Sequence, residues 1–224
     1  MGMRNKAIFA AVSLGLVFAG YMKMKKSAVQ MSLLAATDKQ DVHAVKKLLK
    51  SEQDINAQDS KGRTALMIAT YNNDLKIAKM LIEAGADVNI QDNIQNSPFL
   101  YAGAEGYLDI VKLTSKAGAD SKITNRYGGI ALIPASEHGY VDVVKWLLTE
   151  TNSDVNHINN LGWTALIEAI ILGDGGKQQQ ETVRILLEHG ANPNLADKDG
   201  VTPLEHAEKL GFKEIETLLR KAGY

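Results

Sequence analysis

The chain has 224 residues, 45% of them hydrophobic, and its 25 basic and 26 acidic side chains leave a formal net charge of −1. Those charges are well mixed, with no basic run or face. A nucleic-acid partner is therefore not expected, because neutralising a phosphate backbone needs clustered Lys and Arg. The absence of cysteine removes disulfides, thiolate nucleophiles and Cys-ligated zinc, and leaves the redox compartment open.

The amino terminus is a separate object. Arg4 and Lys6 precede an unbroken apolar or small run from Ala7 to Gly20, and Val17-Phe18-Ala19 places small or apolar residues before a cut. That is the three-part layout of a secretory signal. The run is well short of the roughly 20 residues needed to span a bilayer without strain. Lys23, Lys25 and Lys26 follow it directly, and positive charge there resists translocation. An uncleaved anchor, attaching the chain to the membrane through residues 7–22, is the competing reading. Residues 1–27 are accordingly expected to place the protein in the periplasm or the medium, or to anchor it at a membrane. No Cys follows the run, which excludes a lipoprotein.

From residue 28 onward the chain repeats itself. Thr64-Ala65-Leu66, Ser97-Pro98-Phe99, Ile130-Ala131-Leu132, Thr164-Ala165-Leu166 and Thr202-Pro203-Leu204 recur at intervals of 33, 33, 34 and 38 residues. Six units follow, at about 28–57, 58–90, 91–123, 124–158, 159–195 and 196–224. The first lacks the turn and the capping Thr but carries both helices, Met31–Asp38 and Val42–Lys50, and reads as an amino-terminal cap. In the second, Asp59-Ser60-Lys61-Gly62 is a turn, and Thr64 caps an inner helix ending near Asn73. An outer helix then carries Leu75, Ile77, Ala78, Leu81 and Ile82 as an apolar stripe. Gly85 stops it, and Asp87-Val88-Asn89 begins an extended arm. Neither helix can cover its stripe within its own unit, so neighbours must do so. The last unit carries Lys213, Glu214, Glu216 and Arg220 on its outer helix, the polar face of a terminal cap.

Two adjacent units depart from the rule. In the fourth, Ile130 stands where Thr should cap, and Pro134 lacks the amide for the first intrahelical bond, so that helix is expected to start late or bend. In the fifth, five extra residues fall within Gly173–Gln180, which reads as a flexible, polar, solvated loop between the helices. Either the pair is shaped for a partner or the loop has drifted.

Catalytic and metal chemistry finds little support. His43, His138, His157, His189 and His206 are scattered over five units with no His-x-x-x-His pair. Glu168 and His206 hold equivalent positions in successive units, which suggests a structural hydrogen bond before a catalytic dyad. Asp197-Lys198-Asp199-Gly200 fails as a calcium loop, since Leu195 and His206 occupy ligand positions. Gly175-Gly176-Lys177 fails as a phosphate loop, since Gln178 replaces Ser or Thr. No metal, cofactor or catalytic residue is assigned.

The segments Gly62-Arg63-Thr64-Ala65-Leu66, Glu83-Ala84-Gly85-Ala86-Asp87-Val88-Asn89 and Gly200-Val201-Thr202-Pro203-Leu204-Glu205-His206-Ala207 resemble the ankyrin repeat. The resemblance covers everything after the export segment, and the whole chain is similar to short bacterial ankyrin proteins. It implies an all-α solenoid of stacked helix-turn-helix units with projecting β-hairpins, and a concave face of hairpin tips and inner helices that binds another protein without catalysis. Transferred residue by residue, the pattern puts Asn93-Ile94, Arg126-Tyr127, Asn160-Leu161 and Trp163 on the tips. It puts Tyr71, Glu105, Glu137, His138, Ile171 and Leu172 on the inner-helix face. The expected partner-binding set is Ile94, Arg126, Tyr127, Glu137, His138, Leu161 and Trp163, acting in a monomer. Packing of Tyr127 and Trp163 over neighbouring hairpins is the alternative. At the level of function, the alternatives are an immunity protein blocking a toxin or host factor and, more remotely, an enzyme using Glu168 and His206.

Overall fold

A hydroxyl at the start of a helix satisfies an amide that has no partner within it, and in this chain the same bond recurs unit after unit. The computed structural model describes residues 31–223, so the export or anchor segment at 1–27 lies outside the described residues. Six helix pairs follow from Leu33: α1 (Leu33–Asp38) and α2 (Val42–Leu48), α3 (Ala65–Tyr71) and α4 (Leu75–Glu83), α5 (Pro98–Ala104) and α6 (Leu108–Lys116), α7 (Leu132–Glu137) and α8 (Val141–Glu150), α9 (Ala165–Ile171) and α10 (Lys177–Glu188), α11 (Pro203–Leu210) and α12 (Lys213–Gly223). Among the described residues no helix is long and apolar enough to cross a membrane.

Thr64, Ser97 and Thr164 accept the third amide of α3, α5 and α9 at 3.1–3.2 Å. Thr202 does the same for α11, and Glu205 reaches back to the Thr202 amide at 2.8 Å to complete a capping box. The fourth unit has no such cap. Its inner helix α7 starts at Leu132, one residue late, with no side chain capping it. The Ile133 amide takes the Ile130 carbonyl at 3.0 Å, the bond that Pro134 cannot make.

The apolar residues form one core shared between units. Leu66, Ile77, Leu81, Leu100, Ile110, Leu132, Leu147, Leu166 and Leu186 are all fully buried, and from the third unit onward buried side chains between Phe99 and Leu219 form one cluster that spans several units. Helices pack on their counterparts in the next unit as well as on their own partners, so each unit is buried by its neighbours.

A second bond type fixes the spacing. Asn56 accepts the Asp87 amide at 2.9 Å, Asn89 the Asp120 amide at 2.8 Å, and Asn156 the Asn192 amide at 2.8 Å. Asn89 and Asn156 also donate to the carbonyls of Gly118 and Gly190. In the third unit this Asn is replaced by Lys122, and the arm ladder lapses between the third and fourth units. There α5 and α7 approach closely instead, since a Cβ on Gly103 would lie 2.9 Å from that of Ala131.

The insertion in the fifth unit is not the solvated loop expected from its glycines. Lys177–Gln180 are helical and lengthen α10 to 12 residues against 9 in α4 and α6. Gln179 is 4% exposed and donates to the Ser136 carbonyl at 3.3 Å and to that of Glu137, capping the end of α7. The left-handed Gly139 makes room for it, since a Cβ there would fall 2.0 Å from the Gln179 Oε1. The extra residues therefore dock the fifth unit onto the fourth. Replacing Asn89 with Ala removes two inter-unit hydrogen bonds and should lower stability by about 1–2 kcal/mol in urea denaturation. Replacing Lys122, which carries no such bond, should change it by less than about 0.5 kcal/mol.

Candidate functional site

Each projecting hairpin is held by one Asx side chain. Asp59, Asp92, Asn125, Asn159 and Asp197 each accept with Oδ1 the amides two and four residues on, at 2.8–3.0 Å. A backbone pair such as Asp59 N–H to Arg63 C=O and Gly62 N–H to Asp59 C=O closes the loop. Asx-turns of this kind supply the backbone's partners locally, and the two tip residues stand clear of the body. Adjacent tips are tied in turn: the Asn93 amide donates to the Lys61 carbonyl at 3.0 Å and the Asn160 amide to that of Tyr127 at 2.8 Å.

Three of the expected contact residues sit on these tips with large apolar surface in solvent: Ile94 at 46%, Tyr127 at 51% and Leu161 at 47% exposure. Arg126 lies over the Tyr127 ring, 4.8 Å from its centroid, which stiffens both side chains. Trp163 is placed differently. It forms the base of its hairpin, its carbonyl accepting the Asn159 amide and its own amide donating to the Asn159 Oδ1, and is half-buried, so it contributes more to packing than its expected tip position implied. Ile158, next to Asn159 at the root of its hairpin, is 51% exposed and was missed. The signal was an Ile where the preceding units carry Gln58, Gln91 and Thr124, two of them bridging hairpins through their amides.

Glu137 and His138 do not join the tip row. They stand at the far end of α7, about 9 Å of helix away, and their side chains are 3.8 Å apart. Together with Tyr140, Leu172, Gly173, Asp174, Gln178 and Gln179 they line a cleft of about 420 Å³. A second cleft, of about 350 Å³, opens beside the earlier hairpins and is lined by Lys61, Arg63, Tyr71 and Ile94 among others. In it the Tyr71 hydroxyl donates to Asp92 at 2.6 Å. Burial, and then the Asp92 carboxylate, push that hydroxyl up to about 12, so it remains a donor. Tyr71 meets Tyr101 with centroids 4.3 Å apart and the rings tilted by 53°.

Glu168 and His206 do not form a dyad. Each is held by the Asx residue nine positions upstream: Asn159 donates to Glu168 at 2.7 Å, and His206 pairs with Asp197 at 2.7 Å. Both side chains orient their own hairpins. Glu168 is 5% exposed, and burial, with the Glu137 charge second, pushes its carboxyl up to about 7. Among the described residues no group of three His, Asp or Glu side chains could hold a metal ion.

Residues 32–125, 99–197 and 132–224 each match the family described as ankyrin repeats in three copies, and the chain belongs to the ankyrin-repeat family. A crystal structure of an ankyrin repeat domain from Acinetobacter baumannii is 57% identical with a TM-score of 0.83, covering 85% of this chain and 96% of that one. The ankyrin repeat protein EF0377 is 41% identical with the same TM-score, covering 85% and 97%. A structure of the predatory endopeptidase Bd0816 from Bdellovibrio bacteriovorus in complex with immunity protein Bd3460 matches at 26% identity and a TM-score of 0.73, over 84% of this chain and 96% of that one. The putative ankyrin repeat protein YahD of Escherichia coli is 57% identical over 79 residues, which span 35% of this chain and 39% of YahD. Ankyrin repeats are in general non-catalytic protein-binding modules, and the repeats place this chain among protein–protein interaction modules.

The buried Glu168 sets a pH dependence. Between its ordinary value of 4.5 and about 7 the folded chain keeps a proton that the unfolded chain has released, so its contribution to stability falls as pH rises across that window. Replacing Glu168 with Gln keeps the bond from Asn159 and removes the titration. Between pH 5 and 7.5 the native protein should lose on the order of 2 kcal/mol relative to the variant in urea denaturation; parallel curves would contradict this.

Proposed function

We propose that this chain captures one partner protein on the surface between its hairpin tips and inner helices, as a monomer and without catalysis. Ile94, Arg126, Tyr127 and Leu161 form its contact centre, Trp163 buttresses the row, and Glu137 and His138 supply a separate polar contact. The observation that carries this reading is the row of large apolar side chains, 46–51% exposed, on consecutive tips that are themselves held rigidly. Exposed aromatic and aliphatic anchors on a rigid scaffold are what interaction hot spots require, because little ordering entropy opposes association. An epitope on such a surface covers about 800 Å² of each partner.

The sequence of residues 1–27 supports a setting outside the cytoplasm or at a membrane. Within that setting, the likeness to a structure holding an endopeptidase and its immunity protein favours a second reading, in which the captured partner is a lytic or toxic enzyme held inactive.

Crosslinked pull-down from the native cell envelope tests the surface. The double variant Tyr127→Ser, Leu161→Ser should reduce partner recovery at least tenfold while stability stays within about 1 kcal/mol. Trp163→Ala, at the hairpin base, should lower stability and recovery together. Unchanged recovery by the double variant would remove the tip row from the interface.

A further inference from the structure

The cleft at the far end of α7 is built by a feature that no other unit has. The insertion in the fifth unit brings Leu172, Gly173 and Asp174 opposite Glu137, His138 and Tyr140, and Gln179 locks the two walls together through the carbonyls of Ser136 and Glu137. The Tyr140 ring is fixed in turn: it lies flat against the preceding unit, 3.0 Å from where a Cβ on Gly106 would be, and meets His138 edge-on at 5.4 Å. The cleft is thus a pre-formed space of about 420 Å³ with an aromatic wall, an aliphatic wall at Leu172 and carboxylates on both sides.

Its charges are uncompensated. No lysine or arginine lines it. The ion-pair neighbour of Glu137 is His138 at 3.8 Å, and Asp174 uses one oxygen to accept the Gly176 amide. Other carboxylates in close ion pairs meet a lysine or arginine, as in Asp59 with Arg63, Glu208 with Arg220 and Glu216 with Lys213. Outside the lining, Glu168 is buried, and burial, with the Glu137 charge second, keeps its proton up to about 7. The wall is therefore short of positive charge by construction.

We infer that this cleft receives an arginine side chain of the partner protein. A guanidinium fits the walls: its planar face stacks on a tyrosine ring while its fork bonds a carboxylate with two parallel N–H donors. Its aliphatic stem lies along Leu172. The assignment deepens the reading of this chain as a protein-binding module. It adds a basic residue to the partner's epitope, set about 9 Å of helix from the segment on the tips.

The probe is blocked arginine, N-acetyl-arginine amide, titrated into the full chain labelled with nitrogen-15, with N-acetyl-glutamine amide as the uncharged control. Saturable amide shifts are expected over residues 137–140 and 172–179 with the arginine compound alone. The double variant Glu137→Gln, Asp174→Asn retains the acceptor for the Gly176 amide and should weaken this binding at least fivefold, with the rest of the amide spectrum unmoved. Tyr127→Ser, Leu161→Ser should leave it unchanged, so failure of the tip row and failure of the cleft are told apart. Absence of saturable shifts, equal response to glutamine, or shifts outside the cleft would each overturn the assignment.

Discussion

Side-chain amides and carboxylates that satisfy backbone groups across and within units are the constraint on which this architecture rests. Helices of six to twelve residues are too short to persist alone, and the hairpins between them have no strand ladder to hold them. Burial against the next unit supplies the driving force, but it is non-directional. Direction comes from Asn56, Asn89 and Asn156 between arms and from the Asx residue at the root of every hairpin. Because each unit is fixed to its neighbour, tip side chains many residues apart in sequence are held at set positions.

The bonds are not uniform, and their distribution follows the candidate site. The third and fourth units lack the arm bond at Lys122 and the helix cap at Ile130, and α7 starts late. The fourth and fifth units are joined more tightly, through Gln179, the Asn160 amide and Asn156, which accepts the Asn192 amide at 2.8 Å. The strengthened junction is the one that carries Tyr127 and Leu161 on one rim and the acidic cleft on the other. Irregularity here is therefore redistribution of inter-unit bonding, with local rules broken where a special surface is formed.

Much of this was legible in the sequence because the determinants are local. A Thr before an apolar run, an Asp or Asn at a fixed distance before it, and a Gly at the end of the outer helix each act within a few residues, and the period made them unmistakable. Exposure of Ile94, Tyr127 and Leu161 also followed from position in the unit. What was misread depended on contacts across units. Glycines around Gly173–Gly176 suggested a solvated loop, yet Gln179 finds carbonyls at the end of α7, some forty residues away in sequence. Trp163 is adjacent to the tips in sequence but belongs to the hairpin base, and Glu168 and His206, equivalent in register, are each claimed by their own Asx residue before they could meet.

The central claim is that the hairpin row is pre-organised in the unbound chain. Amide hydrogen exchange, followed by mass spectrometry on the full chain without partner, addresses it directly. The account predicts slow exchange, comparable with that of the helices, for peptides covering residues 92–96, 125–129 and 159–163, whose amides are accepted by Asx side chains. Exchange in those segments at the rate of an unstructured peptide, with the helices still protected, would contradict it.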